Sequence, residues 1–513
     1  MKPKIEKIIS IAFLFLSTVT FALSVYIKNE FGDAKFEQLL YSLRFSEGTS
    51  DDILIHGVRY CLPFALLLTF ILSIPLFIKI KRTSSMKIQY KKKEKCFKIP
   101  FFPLLNSISY SIIIFIFLVL YSLNSIGTFT YLKNQKENSK IFENYYINPN
   151  KVQIEFPEEK TNLIFIYLES MEMGFRDVTI DDQKVNMIPN LEKLAKENLN
   201  FSNTDYLGGT YSAYGTGWTI AGIVSQTTGV PFKVSIDGNE YNHYKRFLPG
   251  ITSLGDVLES EGYNQVFMMG SPKEFAGRDQ YLTEHGNYQI LDLAWAHENK
   301  KISSDYYEFW GFEDKKLFEF AKAELNQLAR KEEPFNFTLL TVDTHAVDGY
   351  LDSSCNAKYT YPYANAISCS DSMVVDFVRW IQKQDFYENT VIILSGDHPT
   401  MQGNIVDYLN NSSRNTYNVF INSKVEANNS KNRVFNNYDI FPTTLASLGV
   451  QIEGNRLGLG TNLFSEKQSL AEELGVDYLE EELAKKSNYY NKNFMQGTYY
   501  EIMKEQEEIE EKK

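Results

Sequence analysis

Three long apolar runs open the chain. Ile8–Ile27 is nearly free of strongly polar residues, Tyr60–Ile78 is similar with Pro63 and Pro75 near its ends, and Phe101–Leu123 is the third. Each is about 20 residues long, enough to cross a hydrocarbon core of roughly 30 Å as a helix. One such run alone could be a buried core helix, and the first could be a signal peptide. Three in succession predict a membrane module over residues 1–123, with spans at about 8–27, 60–78 and 101–123. The first run lacks a small-residue cleavage site and is expected to stay attached.

The pattern then changes period. Residues 124–160 read as a linker. From Thr161 short apolar runs alternate with amphipathic stretches. Asn162–Leu168, Gln265–Met269, Phe335–Val342, Thr390–Leu394 and Asn418–Ile421 read as buried strands. Leu191–Asn198, Thr252–Glu261 (with a Thr cap), Lys315–Arg330, Asp371–Lys383 and Asp439–Leu448 read as helices. This alternation predicts an α/β domain over 161–465 with a mostly parallel central sheet covered on both faces. Residues 466–513 read as a charged, solvated helical tail ending in an acidic run.

Charge divides the chain at the same place. Residues 1–123 hold 16 Lys and Arg against 8 Asp and Glu, and the remainder holds 36 against 56. An ectodomain with a balance of −20 is no ordinary nucleic-acid binder, which needs a basic face. Lys2, Lys4 and Lys7 precede the first run, and nine Lys and Arg between Lys79 and Lys98 face one acid, Glu94. The positive-inside rule puts both segments in the cytoplasm. The expectation is a multi-pass protein of a bacterial cytoplasmic membrane, its large domain on the periplasmic or extracellular side. The basic loop is read as a topology signal without chemistry. Outside the membrane module the only cysteines are Cys355 and Cys369. In an oxidising compartment the pair is expected to form a disulfide; two free thiols are the alternative.

Ligands of open parallel sheets bind beyond the carboxyl ends of the strands. Three strands here end in Glu169-Ser170, Asp343-Thr344-His345 and Ser395-Gly396-Asp397-His398. Carboxylates and imidazole at one sheet edge suit a divalent transition metal. The segment Gly208–Thr219 is dense in Gly and hydroxyls. It suits either a phosphate at a following helix N-terminus or a simple N-cap in a flexible loop. His243, His285 and His297 sit in no motif and are read as structural.

The ordered set Asn162–Ser170, Gly215-Thr-Gly-Trp-Thr219, Asp343-Thr-His345, Ser395-Gly-Asp-His398 and Tyr438–Thr443 resembles the sulfatase-like transferases of alkaline-phosphatase fold that act outside the cytoplasmic membrane. Three segments, Gly215–Gly222, Asp343–Gly349 and Ser368–Asp371, look most like the branch that moves phosphoglycerol onto membrane-derived oligosaccharides. The resemblance implies a divalent ion (manganese or zinc, with magnesium as an alternative) on Glu169, Asp397, His398 and a threonine that is also the nucleophile. Thr216 fits best by its distance to Thr228-Gly-Val-Pro231, and Thr219 is the alternative. It implies that His345 and Arg278 contact the transferred group, with phosphatidylglycerol as donor, a periplasmic glucan as acceptor and diacylglycerol as leaving group. Phosphoethanolamine transfer, a lipoteichoic-acid-type polymerase and a non-catalytic binding protein are the alternatives. The C/S-x-P-x-R motif of true sulfatases is missing. Lipoteichoic acid synthases carry a Trp where this chain has Ala276 and a His where it has Met269, so a different headgroup pocket is expected.

Overall fold

The computed structural model describes residues 3–32, 35–44, 51–77, 84–90, 93–99, 107–180, 182–234, 246–406, 408–409 and 414–497. The chain divides into two compact units. One comprises Met1–Asp33 and Ser50–Thr130, the other Ala34–Thr49 and Tyr131–Lys513.

In the first unit α1 (Pro3–Phe31), α3 (Asp51–Ser73) and α4 (Ser107–Ser125) form a bundle; α2 (Phe36–Arg44) belongs to the second unit. Three stretches are long and apolar enough to cross a membrane: Lys4–Phe31, Ile55–Leu76 and Ser107–Ser125. They overlap all three expected spans, although residues 78–83 and 101–106 lie outside the described residues. Outward-facing Leu66, Leu67, Phe70 and Phe117 are exposed, as lipid-facing side chains are. Inside the bundle, Thr18 and Thr69 share a hydroxyl–hydroxyl bond of 2.6 Å. The basic loop contains an antiparallel hairpin, Ser84–Tyr90 against Lys93–Ile99, which its charge did not foretell.

The second unit is built on a six-stranded sheet. Its strands are β1 (Asn162–Leu168), β2 (Asn264–Met269), β3 (Gln289–Leu291), β4 (Phe335–Leu340), β5 (Thr390–Gly396) and β6 (Asn418–Ile421). The order across the sheet is β6-β5-β1-β4-β2-β3, parallel except for β6 against β5. Parity explains why β1 reads as a continuous apolar run. Leu163, Phe165 and Tyr167 enter one core; Ile164, Ile166 and Leu168 enter the core on the opposite face.

The helices that matter for the site are α5 (Pro189–Glu197), α6 (Thr219–Thr228), α7 (Leu254–Ser260), α8 (Arg278–Glu284), α9 (Asp314–Leu328), α10 (Pro362–Ile381) and α11 (Ile440–Ser447). Four expectations change. The cap of α7 is Ser253, in a reciprocal capping box with Asp256, not Thr252. α10 begins at Pro362, so Asp371 lies mid-helix rather than opening one. It is buried, and its carboxylate accepts the Asn190 and Leu191 N–H groups at the start of α5. The charged segment after Ser465 is not simply solvated. Leu470, Leu479, Leu483, Tyr490 and Phe494 are buried, because its apolar residues recur on one face. Its final acidic run lies outside the described residues. The expected linker is also partly built in, with Ile141 and Phe142 buried. Cys355 and Cys369 are joined by a disulfide, which ties a loop to the first half of α10.

Candidate metal and phosphoryl-transfer site

Parallel strands deliver their carboxyl ends to one edge, and the adjacent ends of β1 and β5 converge there. Glu169 follows β1; Asp397 and His398 follow β5. All three are buried, and one ligand atom from each lies within 4.8 Å of the others. Backbone geometry aims them. Asp397 Oδ1 accepts the Ser170 and His398 N–H groups, each at 2.8 Å, which orients its carboxylate. His398 Nδ1 bonds the Pro399 carbonyl at 2.8 Å. That leaves Nε2 facing Glu169 Oε1 at 3.4 Å and Asp397 Oδ2 at 3.5 Å. A histidine pinned by one ring nitrogen to a carbonyl presents the other as a ligand.

Burial pushes the Glu169 carboxyl up, but the His345 and His398 imidazoles outweigh it and hold it at about 2. Burial and the Glu169 charge push Asp397 up to about 7. Burial lowers His398, yet the two carboxylates raise it to about 9. Asp397 Oδ2 is buried with no hydrogen-bond partner among the described residues. An orphaned carboxylate oxygen beside a second carboxylate and an imidazole is costly unless a cation meets it. The residues therefore fit a divalent ion in a nitrogen and oxygen donor set.

The two candidate threonines part company. Thr219 is the first residue of α6. Its hydroxyl lies 3.2 Å from Glu169 Oε2 and 3.4 Å from His398 Nε2. Thr216 is fully buried and engaged elsewhere, with Ala213 O at 2.7 Å, Asn437 Oδ1 at 3.1 Å and the Ser212 hydroxyl at 3.1 Å. The geometry gathers Thr219 with the cluster, while Thr216, the threonine favoured from spacing, braces the loop. Spacing along the chain could not separate them, because Gly215 turns through positive φ and re-aims the residues after it. The first intrahelical bond of α6 runs from Gly222 N–H to Trp218 C=O, so the N–H groups before it point out of the helix beside Thr219.

A small cavity touches the cluster. It is lined by Glu169, Thr219, Ser271, Phe275, Arg278, Trp310 and His345, among others. Arg278 Nε donates to Phe275 O at 3.0 Å, and Nη2 donates to Ser271 Oγ at 2.9 Å and Pro272 O at 2.8 Å. Nη1 has no protein partner among the described residues. Burial lowers this guanidinium to about 10, still a cation at neutral pH. The pKa of His345 is lowered by burial, and its Nδ1 bonds the Ala346 carbonyl, which leaves Nε2 without a hydrogen-bond partner among the described residues. Its ring packs on Trp310 at 4.5 Å between centroids, and Trp310 on Phe275 at 5.2 Å.

Trp310 was not foreseen. Its only mark in the sequence is the Gly311 that follows. A Cβ there would lie 2.1 Å from the Gly270 carbonyl oxygen, so only glycine lets the two backbones close the cavity wall. Of the remaining histidines, His285 bonds Asp256 and the Phe247 carbonyl, and His297 bonds the Tyr306 carbonyl. His243 lies outside the described residues.

A sequence model of the sulfatase family, described as "Sulfatase", matches residues 161–450, the span that holds all of these residues. The chain belongs to the sulfatase family. Phosphoglycerol transferase I of Salmonella choleraesuis (strain SC-B67) is 34% identical over 339 residues, which are 64% of this chain and 42% of that protein. The Salmonella typhimurium protein of the same name gives the same figures. The chain thus spans less than half the length of these relatives. Among solved structures, the lipoteichoic acid synthase LtaP from Listeria monocytogenes has a TM-score of 0.48 at 18% identity, covering 63% of this chain and 80% of that one. The phosphoethanolamine transferase EptA from Neisseria meningitidis has a TM-score of 0.48 at 12% identity, covering 86% and 84%.

Proposed function

We propose that this protein is a membrane-anchored phosphoglycerol transferase. It takes phosphoglycerol from phosphatidylglycerol, holds it on Thr219, and passes it to a hydroxyl of a periplasmic glucan, releasing diacylglycerol. The observation that carries the reading is the Thr219 hydroxyl, at a helix N-terminus, against Glu169 and His398 of the buried metal-type cluster. The phosphoglycerol transferase relatives support phosphoglycerol as the transferred group.

Glu169, Asp397 and His398 would hold the ion and Thr219 would complete its set. A divalent ion, manganese or zinc, would lower the pKa of the threonine hydroxyl and withdraw charge from the phosphoryl oxygens. The Thr219 oxygen attacks phosphorus, and the bond from phosphorus to the diacylglycerol oxygen breaks. The threonine proton leaves and the diacylglycerol oxygen gains one, with His345 Nε2 as the carrier between them. In the second half the acceptor hydroxyl gives its proton to His345 Nε2 and attacks the same phosphorus, the Thr219 ester breaks, and His345 passes that proton to the Thr219 oxygen. Arg278 is pinned by three acceptors, and its Nη1 pairs with a non-bridging oxygen in an otherwise acidic domain. The basic segments, residues 1–7 and 79–98, support a cytoplasmic side for themselves and an outer side for the catalytic domain, the side on which this reading puts the donor headgroup and the glucan.

The test is diacylglycerol release from labelled phosphatidylglycerol by the purified full-length chain, with manganese added or chelated. Release that requires metal, vanishes in Thr219→Ala and persists in Thr216→Ala is the expected result. Release that survives in Thr219→Ala refutes the nucleophile. Release from phosphatidylethanolamine alone refutes the donor.

A further inference from the structure

Between the first two candidate spans lies a nine-residue helix, α2, that no motif connects with the site. It belongs to the catalytic unit. Its Tyr41 is buried at 1% exposure. The phenol donates to the Ala276 carbonyl at 2.7 Å. The ring sits edge-on to Phe232 at 5.1 Å and lies 6.4 Å from Trp218. One side chain thus touches the turn two residues before Arg278 and the residue directly before Thr219.

That turn needs holding. Ala276 has φ 60° and Gly277 φ 67°, two successive left-handed residues. A non-glycine residue in that region is strained and persists only where its surroundings fix it. Arg278 takes its orientation from the same turn, since Nε donates to the Phe275 carbonyl. Burial pushes the Tyr41 phenol well above its ordinary range, so it stays a donor at neutral pH.

We propose that Tyr41 is a positioning residue that holds the Phe275–Arg278 turn so that Arg278 meets the phosphate of a glycerophospholipid headgroup. The inference rests on the phosphoglycerol-transferase reading and adds a specific agent to it. Tyr41 itself touches no substrate; it acts through Arg278.

The experiment uses the full chain, loaded with Mn2+, as wild type, Tyr41→Phe, Arg278→Gln and the double variant. Calorimetry gives the affinity for sn-glycerol 3-phosphate and for Mn2+. Diacylglycerol release gives KM and kcat for phosphatidylglycerol. Tyr41→Phe keeps the ring and removes the hydrogen bond to the Ala276 carbonyl. It should weaken glycerol phosphate about 3- to 10-fold and raise KM by a similar factor, with kcat moving less and Mn2+ affinity unchanged. The double variant should bind no more weakly than Arg278→Gln, because Tyr41 has nothing left to act through. Wild-type affinity in Tyr41→Phe, or additive losses in the double variant, overturns the proposal. So does loss of Mn2+ binding in Tyr41→Phe, which marks a structural role. A wild-type chain that neither binds glycerol phosphate nor releases diacylglycerol defeats the proposed function and this inference with it. A wild-type chain that does both while Tyr41→Phe equals it defeats this inference alone.

Discussion

Replacing Gly222 by Ala separates what the chain's local preferences want from what its packing permits. Gly222 is the fourth residue of α6, one turn after Thr219. Helix propensity alone favours Ala there by about 1 kcal/mol. The structure reverses the sign. A Cβ at Gly222 would stand 2.3 Å from the Asp397 carbonyl oxygen and 2.9 Å from its carbon, both backbone atoms that cannot swing aside. Contacts below 3.0 Å are essentially never seen, so helix and strand end must part by about 0.7 Å. Asp397 is in the metal-type cluster and Thr219 is on the displaced helix, so their mutual placement absorbs the shift. A misplacement of about 1 Å can cost on the order of 100-fold in rate, so a loss of about 10- to 100-fold is expected. Overpacking costs about 1–3 kcal/mol, partly offset by propensity, so the melting temperature should fall by a few degrees at most. The control is Gly217→Ala in the same motif, where nothing lies within 4 Å of the added methyl. It should retain activity within about twofold, as an added methyl in open space does. The assay is metal-dependent diacylglycerol release, with thermal denaturation alongside. A wild-type rate in Gly222→Ala, or an equal loss in Gly217→Ala, would refute the α6–Asp397 contact as the determinant of that placement.

Removing the disulfide with Cys355→Ser should destabilise the catalytic unit by about 3 kcal/mol, the loop-closure value for a separation of this size, and lower its melting temperature. An unchanged melting temperature would count against the bridge. Burial raises the Asp371 carboxyl to about 6 despite the Leu191 and Asn190 N–H groups it accepts. The folded state therefore holds this proton more tightly than the unfolded one. Its stability contribution is fully present below about pH 4 and is lost as pH rises through about 6, by about 3 kcal/mol. Asp371→Asn should lack that slope in melting temperature between pH 4 and 7, and parallel profiles would exclude the assignment. Chelation should abolish diacylglycerol release, and manganese should restore it in wild type but not in Asp397→Asn, measured by the same release assay.

Much of the architecture is legible in the chain because it depends on local periodicity. Three apolar runs identify the three candidate spans, and the unbroken apolar run of β1 identifies a strand buried on both faces. Strand ends carrying Glu169, Asp397 and His398 identify the metal-type edge, since parallel strands can only deliver such residues to one side. Other features depend on contacts between distant segments, which no local pattern encodes. Thr216 and Thr219 differ by three residues and share a motif; only the turn at Gly215 and the docking of α6 decide which hydroxyl reaches Glu169. Asp371 looks like the cap of its own helix and proves to cap α5, 180 residues away. The segment after Ser465 looks solvated by charge, yet its sparse apolar residues fill the core. Trp310 reaches the cavity, and Tyr41 the turn before Arg278, from elements without any motif. The chemical types and the sheet edge were determined by the sequence alone, because they follow from side-chain pattern and strand direction. Which threonine, which aromatic wall and which helix cap were decided only by tertiary packing, because contacts between segments distant in the chain choose among residues that the local pattern treats alike.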